Sequence, residues 1–231
     1  MIPLYDDNPT ERFPFMTIIL IVINVLIFFY QISLGEQGGQ RFVIELGTIP
    51  WEVSNFQNHP ESVSIPPLMT LFTSMFLHGG WMHLIGNMLY LWIFGNNIED
   101  AMGPVRFIIF YVVTGLAASG AHIFTNIDSL VPTIGASGAI SGVLGAYLLL
   151  FPKAKVLTLI ILGWFIRIIE IPAMIVLGLW FGLQIFNSVL SGASGGGVAW
   201  LAHIGGFIAG IVLVKLFEKS DHSQTNRMDW G

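Results

Sequence analysis

Long uncharged stretches separated by short clusters of charge dominate the chain. Between Arg12 and Glu36 lie 23 uncharged residues that include MTIILIVINVLIFFY. The runs Ser62–Ile98, Phe107–Ile127 and Ser129–Pro152 follow, and Ile171–Val214 extends for 44 residues. A membrane-spanning helix needs about 20 apolar residues. The last run therefore holds two helices, with SGASGGG (Ser191–Gly197) as the break between them. The pattern predicts six spanning helices, at about 15–34, 81–98, 104–125, 136–151, 171–190 and 198–217.

Two segments fall outside that scheme. In Lys155–Glu170 the apolar run before Arg167 is too short to cross alone. Arg167 and Glu170 would be costly deep in lipid, so the expectation is an amphipathic stretch in the interface and not an extension of the fifth helix. The first loop, residues 35–80, is long for so compact a chain, and loops of that length are more often functional than idle. DDNPTER precedes the first apolar run where a cleaved leader would carry a basic region, so the first helix is expected to be retained. The expected organisation is a cytoplasmic tail over 1–14, one membrane domain over 15–217 and a cytoplasmic tail over 218–231.

Composition agrees with a polytopic membrane protein. Of 231 residues 54% are hydrophobic and 10% charged, against about 25% charged in soluble domains. A net charge of −5 argues against a nucleic-acid partner, and the absence of cysteine excludes disulfides, thiolate metal sites and a cysteine nucleophile. Eight of the nine basic residues fall on the side of the two tails, with only Arg41 opposite. By the positive-inside rule both termini are expected in the cytoplasm.

This orientation gives meaning to the few polar residues inside the spans, each of which is costly unless it faces a cavity or a partner. The second, fourth and sixth helices all enter from outside. Near their outer ends they carry His83 and Asn87 (four apart, on one face), Ser137, and His203. Three helices distant in sequence thus bring polar groups to one depth. The fourth has stripes of small residues, Ser137-Ser141-Gly145 beside Gly138-Gly142-Ala146, and the sixth has Ala202-Gly206-Gly210. Such stripes permit close helix packing, which would let His203 serve as the base that a serine nucleophile needs. Donors for an oxyanion are the Ser137 amide at a helix N-terminus and the side chains of His83 and Asn87. No acidic residue lies at this depth, so a Ser–His dyad is expected.

Each element has a plainer reading: Gly-x-Ser-Gly as packing, His203 bonded to a neighbouring helix, and His83 with Asn87 as interhelical contacts. His78 has only a loop position, and His122 reads as structural. Gln184 and Asn187 on the fifth helix read as helix contacts or cavity lining. A channel or transporter would require broken helices and an inverted repeat, which are not seen. A metal site from His78, His83 and His203 lacks any carboxylate or cysteine, so no metal and no cofactor is expected. The conjunction of serine, histidine and donors on three helices is what favours catalysis.

The motifs resemble those of the rhomboid intramembrane serine proteases: His83-x-x-x-Asn87, Gly135-Ala-Ser137-Gly138, Ala202-His203-x-x-Gly206, and FGNNIEDAMG (Phe94–Gly103) with Glu99. The resemblance implies an all-α polytopic membrane protein, a six-transmembrane-helix rhomboid-like bundle with a long first loop. It implies Ser137 as nucleophile, His203 as general base and acid, and His83, Asn87 and the Ser137 amide as oxyanion hole. Gly138, Gly206 and Glu99 would be structural helix contacts, and the fifth helix with its following loop a lateral gate. The implied partners are the lipid bilayer and single-spanning membrane proteins, cut near the outer face, in a prokaryotic plasma (inner) membrane. The alternative is an inactive relative that binds membrane clients, though it should lack the serine or the histidine. Two departures stand out: Trp51-Glu52 replaces the Trp-Arg pair many members carry in the first loop, and Ser141 stands where many place an aromatic under the histidine, a support that Trp200 or Phe207 could supply.

Overall fold

The computed structural model describes residues 1–58, 65–191 and 199–219. Within these, six helices form the bundle: α1 (Phe15–Ser33), α5 (Trp81–Met102), α6 (Pro104–Thr125), α7 (Ser137–Leu150), α8 (Ala173–Ser191) and α9 (Trp200–Phe217). Short helices α2 (Gly35–Leu46), α3 (Pro50–Asn55) and α4 (Pro67–Thr73) occupy the first loop. Helices α1, α6, α8 and α9 are long and apolar enough to cross a membrane. Their exposed faces carry large apolar side chains such as Leu26, Ile109, Leu183 and Val212, as a lipid-facing surface requires. The protein is a multi-pass integral membrane protein. The Gly103-Pro104 pair turns α5 into α6: Gly103 has φ 78, and Pro104 opens the next helix, where no N–H bond is lost. The break at 191–197 falls mostly on residues 192–198, which lie outside the described residues, as does the tail beyond 219.

The shortest of the six helices is the most enclosed. Every residue of α7 from Ala139 to Tyr147 is buried, because small side chains let neighbours close in on three sides. A Cβ on Gly206 would fall on the carbonyl oxygen of Gly138, one on Gly210 on that of Gly142, and one on Gly145 on that of Phe207. Helices α7 and α9 therefore meet backbone to backbone, the contact that small-residue stripes make possible in lipid, where no hydrophobic force drives helices together. Against α6, Gly142 packs on Thr114 and Gly138 on Ala118.

At α1 the free N–H groups of the first turn find a carboxylate from another helix. Glu99 accepts from Met16 N (2.9 Å), Thr17 N (2.8 Å) and Thr17 Oγ1 (2.8 Å), and is itself buried. Four amides at a helix start have no partner of their own, and an anion there also suits the helix dipole.

One part of the chain departs from the helical pattern. Residues 155–170, expected as an amphipathic interfacial stretch, form a β-hairpin of β2 (Lys155–Leu162) and β3 (Phe165–Pro172) around Gly163-Trp164. Gly163 has φ 61, the left-handed conformation that a two-residue hairpin asks of glycine. The segment does not lengthen α8. Residues 2–6, expected within a tail, form β1 (Ile2–Asp6), antiparallel to β2. The three-stranded sheet lies at the end of the bundle opposite Ser137. It is tied there by Asp6, whose carboxylate oxygen accepts from Tyr147 Oη (2.5 Å) on α7 and Asn97 Nδ2 (2.8 Å) on α5. Burial pushes the Asp6 carboxyl up to about 6, outweighing the hydrogen bonds that favour its charge.

Candidate active site

Three helix starts converge at the other end. Gly135 (φ 127) delivers the chain into α7, and its amide donates to Ser74 O (2.9 Å). A side chain there would strike the His83 ring, so the glycine serves both the turn and the ring's approach. Ser137 is the first residue of α7, where backbone N–H groups lack intrahelical acceptors. His203 lies one turn into α9, and its Nε2 is 2.8 Å from Ser137 Oγ.

The second nitrogen of His203 meets Gln184, which in the sequence reads as helix contact or cavity lining. Nδ1 is 2.8 Å from Oε1 of Gln184 on α8, and Gln184 Nε2 donates to Trp180 O at 3.1 Å. Trp180 and Trp200 border the imidazole, with ring centroids at 6.0 and 6.1 Å. Phe207 stacks on Phe181 (4.4 Å) one turn deeper. Ser141 turns its hydroxyl away from the histidine and donates to Ser137 O (2.6 Å), which steadies the first turn of α7.

His83 and Asn87 share one face of α5 and line the same cavity of about 890 Å³ as Ser137, His203 and Gln184. His83 Nδ1 accepts from Gly79 N (3.3 Å), so in the neutral ring the proton sits on Nε2. Asn87 is buried, and its Nδ2 donates to no described residue. No Asp, Glu, Lys or Arg is among the described lining residues. No cluster of metal-ligating side chains occurs among the described residues. His78 is fully buried beside His83 (centroids 5.1 Å) and lies outside this cavity lining. His122 lies on α6, also outside the lining.

The first loop walls the site without the Trp-Arg pair. Thr48 and Thr133 exchange backbone bonds (3.0 and 2.8 Å), Trp51 N donates to Ser129 O (3.0 Å), and Thr48 Oγ1 donates to Thr70 O (2.9 Å). The loop is thus fastened to the α6–α7 connection that leads into Ser137. Gln31 on α1 clamps His78 from both sides, donating to its carbonyl (2.9 Å) and accepting from its amide (3.4 Å).

A bundle with a serine at the start of one inner helix and a histidine against it on another defines a class, and comparison with known sequences agrees. The Rhomboid domain matches residues 67–220, more than half of the chain, and the chain belongs to the rhomboid family. It is similar to the rhomboid protease GluP of Bacillus subtilis (30% identical, covering 87% of this chain and 35% of the relative). It is also similar to the mitochondrial Rhomboid protein 1 of Saccharomyces cerevisiae (29%; 69% and 44%) and the chloroplastic Rhomboid-like protein 11 of Arabidopsis thaliana (30%; 68% and 55%). The chain spans about a third to a little over half the length of these relatives.

Proposed function

We propose that this protein is an intramembrane serine endopeptidase that cuts transmembrane segments of single-spanning membrane proteins near the outer membrane face. The observation that carries the reading is the 2.8 Å approach of His203 Nε2 to Ser137 Oγ inside a cavity lined by the Asn87 amide, which has no partner among the described residues. A serine hydroxyl is a weak nucleophile until a base is placed against it, and this distance is within proton-transfer reach.

Ser137 Oγ attacks the scissile carbonyl carbon while its proton passes to His203 Nε2. The oxygen of the tetrahedral intermediate takes hydrogen bonds from Asn87 Nδ2, from His83 Nε2 and from the Ser137 amide at the start of α7. His203 returns the proton to the departing amine, leaving an acyl ester on Ser137. Water, activated by the same imidazole, then hydrolyses that ester. No step calls on a metal or cofactor. Both termini face the cytoplasm in this scheme, which is supported by the eight-to-one division of basic residues. The cavity then opens outward, where water is available, and small residues at the cut bond let the substrate helix unwind.

The test is cleavage of a single-helix transmembrane substrate by the detergent-solubilised full chain. The parent should cut and resist chelators, and Ser137→Ala and His203→Ala should not cut. Parent-like cleavage by both variants overturns the dyad. A parent that binds such helices without cutting them favours the client-binding alternative.

A further inference from the structure

We propose that Gln184 is a positioning residue for His203, a third member of the catalytic chain supplied by α8; the proposal rests on the serine-protease reading. One group beside the site cannot change role. The Trp180 carbonyl oxygen can only accept, so the Gln184 atom 3.1 Å from it is the NH2 nitrogen, and the carboxamide orientation is fixed. Gln184 Oε1 therefore faces His203 Nδ1, and an amide oxygen can only accept. Nδ1 must then carry the proton. In the neutral ring this leaves the lone pair on Nε2, aimed at Ser137 Oγ. One backbone carbonyl of α8 thus selects the tautomer that can act as base.

The placement is built and not incidental. Gln184 is buried, 6% exposed, at a position where an unpaired amide would be costly. Phe181, three residues before Gln184, stacks on Phe207, four residues after His203, at 4.4 Å and 17°. That pair sets the rotation of α8 against α9 one turn below the polar contact. The titratable groups around the imidazole are few. His83 and Tyr90 on α5 line the same cavity, and His122 lies on α6 outside the lining. No carboxylate lies among the described lining residues, so Gln184 does with a neutral oxygen the orienting that an acid performs in a triad. A neutral acceptor fixes the ring but adds little stabilisation to the imidazolium, so its removal should cost less than the loss of an acid.

Gln184→Met keeps the side-chain volume and removes the acceptor, whereas Gln184→Glu keeps an acceptor and adds charge. In cleavage of the same single-helix substrate, Gln184→Met should lower kcat about tenfold with KM unchanged, the scale of one lost hydrogen bond. Gln184→Glu should move the acid limb of the kcat–pH profile to higher pH. A carboxylate beside Nδ1 raises the imidazolium pKa, so neutral base is lost at a higher pH as the solution is acidified. A parent-like kcat for Gln184→Met, or an acid limb of Gln184→Glu that coincides with the parent's, overturns the proposal. Ser137→Ala is assayed alongside. Cleavage surviving there defeats the serine-protease reading itself, while its loss together with a parent-like Gln184→Met defeats only the role of Gln184.

Discussion

The carbonyl oxygen of Gly138 fills the space that a side chain on Gly206 would need. Ser137 precedes the first by one residue and His203 precedes the second by three, so the closeness of two glycines is also the closeness of the proposed nucleophile and base. A backbone-to-backbone helix contact and the 2.8 Å contact between Ser137 and His203 are one arrangement.

Gly206→Ala should therefore injure stability and activity together. The added methyl has backbone in its way and must push α9 from α7, an overpacking cost of about 1–3 kcal/mol. A shift of about 1 Å between the reacting groups should lower cleavage about a hundredfold. Gly178→Ala on α8, where a Cβ meets nothing within 4 Å, is the control and should unfold at the parent's temperature or slightly above it, because alanine favours the helix. Thermal unfolding in detergent and cleavage rate read both effects.

Asn87→Ala should lower kcat by about 10²–10³ with little change in KM, since its amide donates to no described residue and in the proposed mechanism is engaged by the oxyanion. His83→Ala should act in the same direction. A rise in KM with kcat intact, measured on either variant, would place that residue in substrate binding instead.

Glu99 holds the first turn of α1 with three accepted bonds from one buried carboxylate. Glu99→Ala leaves those donors without partners, at about 1–3 kcal/mol each before relaxation. The expected outcome is a loss of roughly 3 kcal/mol or more, read by denaturant unfolding in mixed micelles. Glu99→Gln, which keeps one acceptor oxygen, should fall between.

The sheet end should respond to pH. Asp6 has a carboxyl pushed from 3.8 up to about 6 by burial, with Asp7 adding to the rise. Between these values the folded protein binds more proton than the unfolded chain, so this group's contribution makes stability fall as pH rises from about 4 to 6. The parent should gain stability on acidification from pH 7 to 5 relative to Asp6→Asn, in which the contribution is absent. Equal pH responses in the two proteins would show that the carboxyl does not titrate there.

Much of this was legible in the sequence. The six bundle helices stood out because charge is confined to their ends, and Ser137, His203, His83 and Asn87 because polar groups inside lipid are few. The hairpin was hidden because the stretch between Lys155 and Arg167 is almost unbroken apolar, and such a run has no period to separate strand from helix. Gly163 between two β-branched runs was the available sign. Its partner strand, Ile2–Asp6, lies some 150 residues away, so its pairing is set by the fold and not by local pattern. Gln184 escaped for a related reason. A lone glutamine carries no motif, and whether it reaches His203 depends on the rotation of α8, which Phe181 and Phe207 determine only once packed. The anchoring of the first loop was equally invisible, since Thr48 and Thr133 bond through their backbones.

The most direct measurement is reaction of the intact protein with a fluorophosphonate, followed by mass mapping of the labelled peptide. The parent should gain one adduct, on Ser137; Ser137→Ala should gain none; His203→Ala should react at least about a hundredfold more slowly, for want of its base. An adduct that persists in Ser137→Ala, or that maps to another serine in the parent, would contradict the assignment.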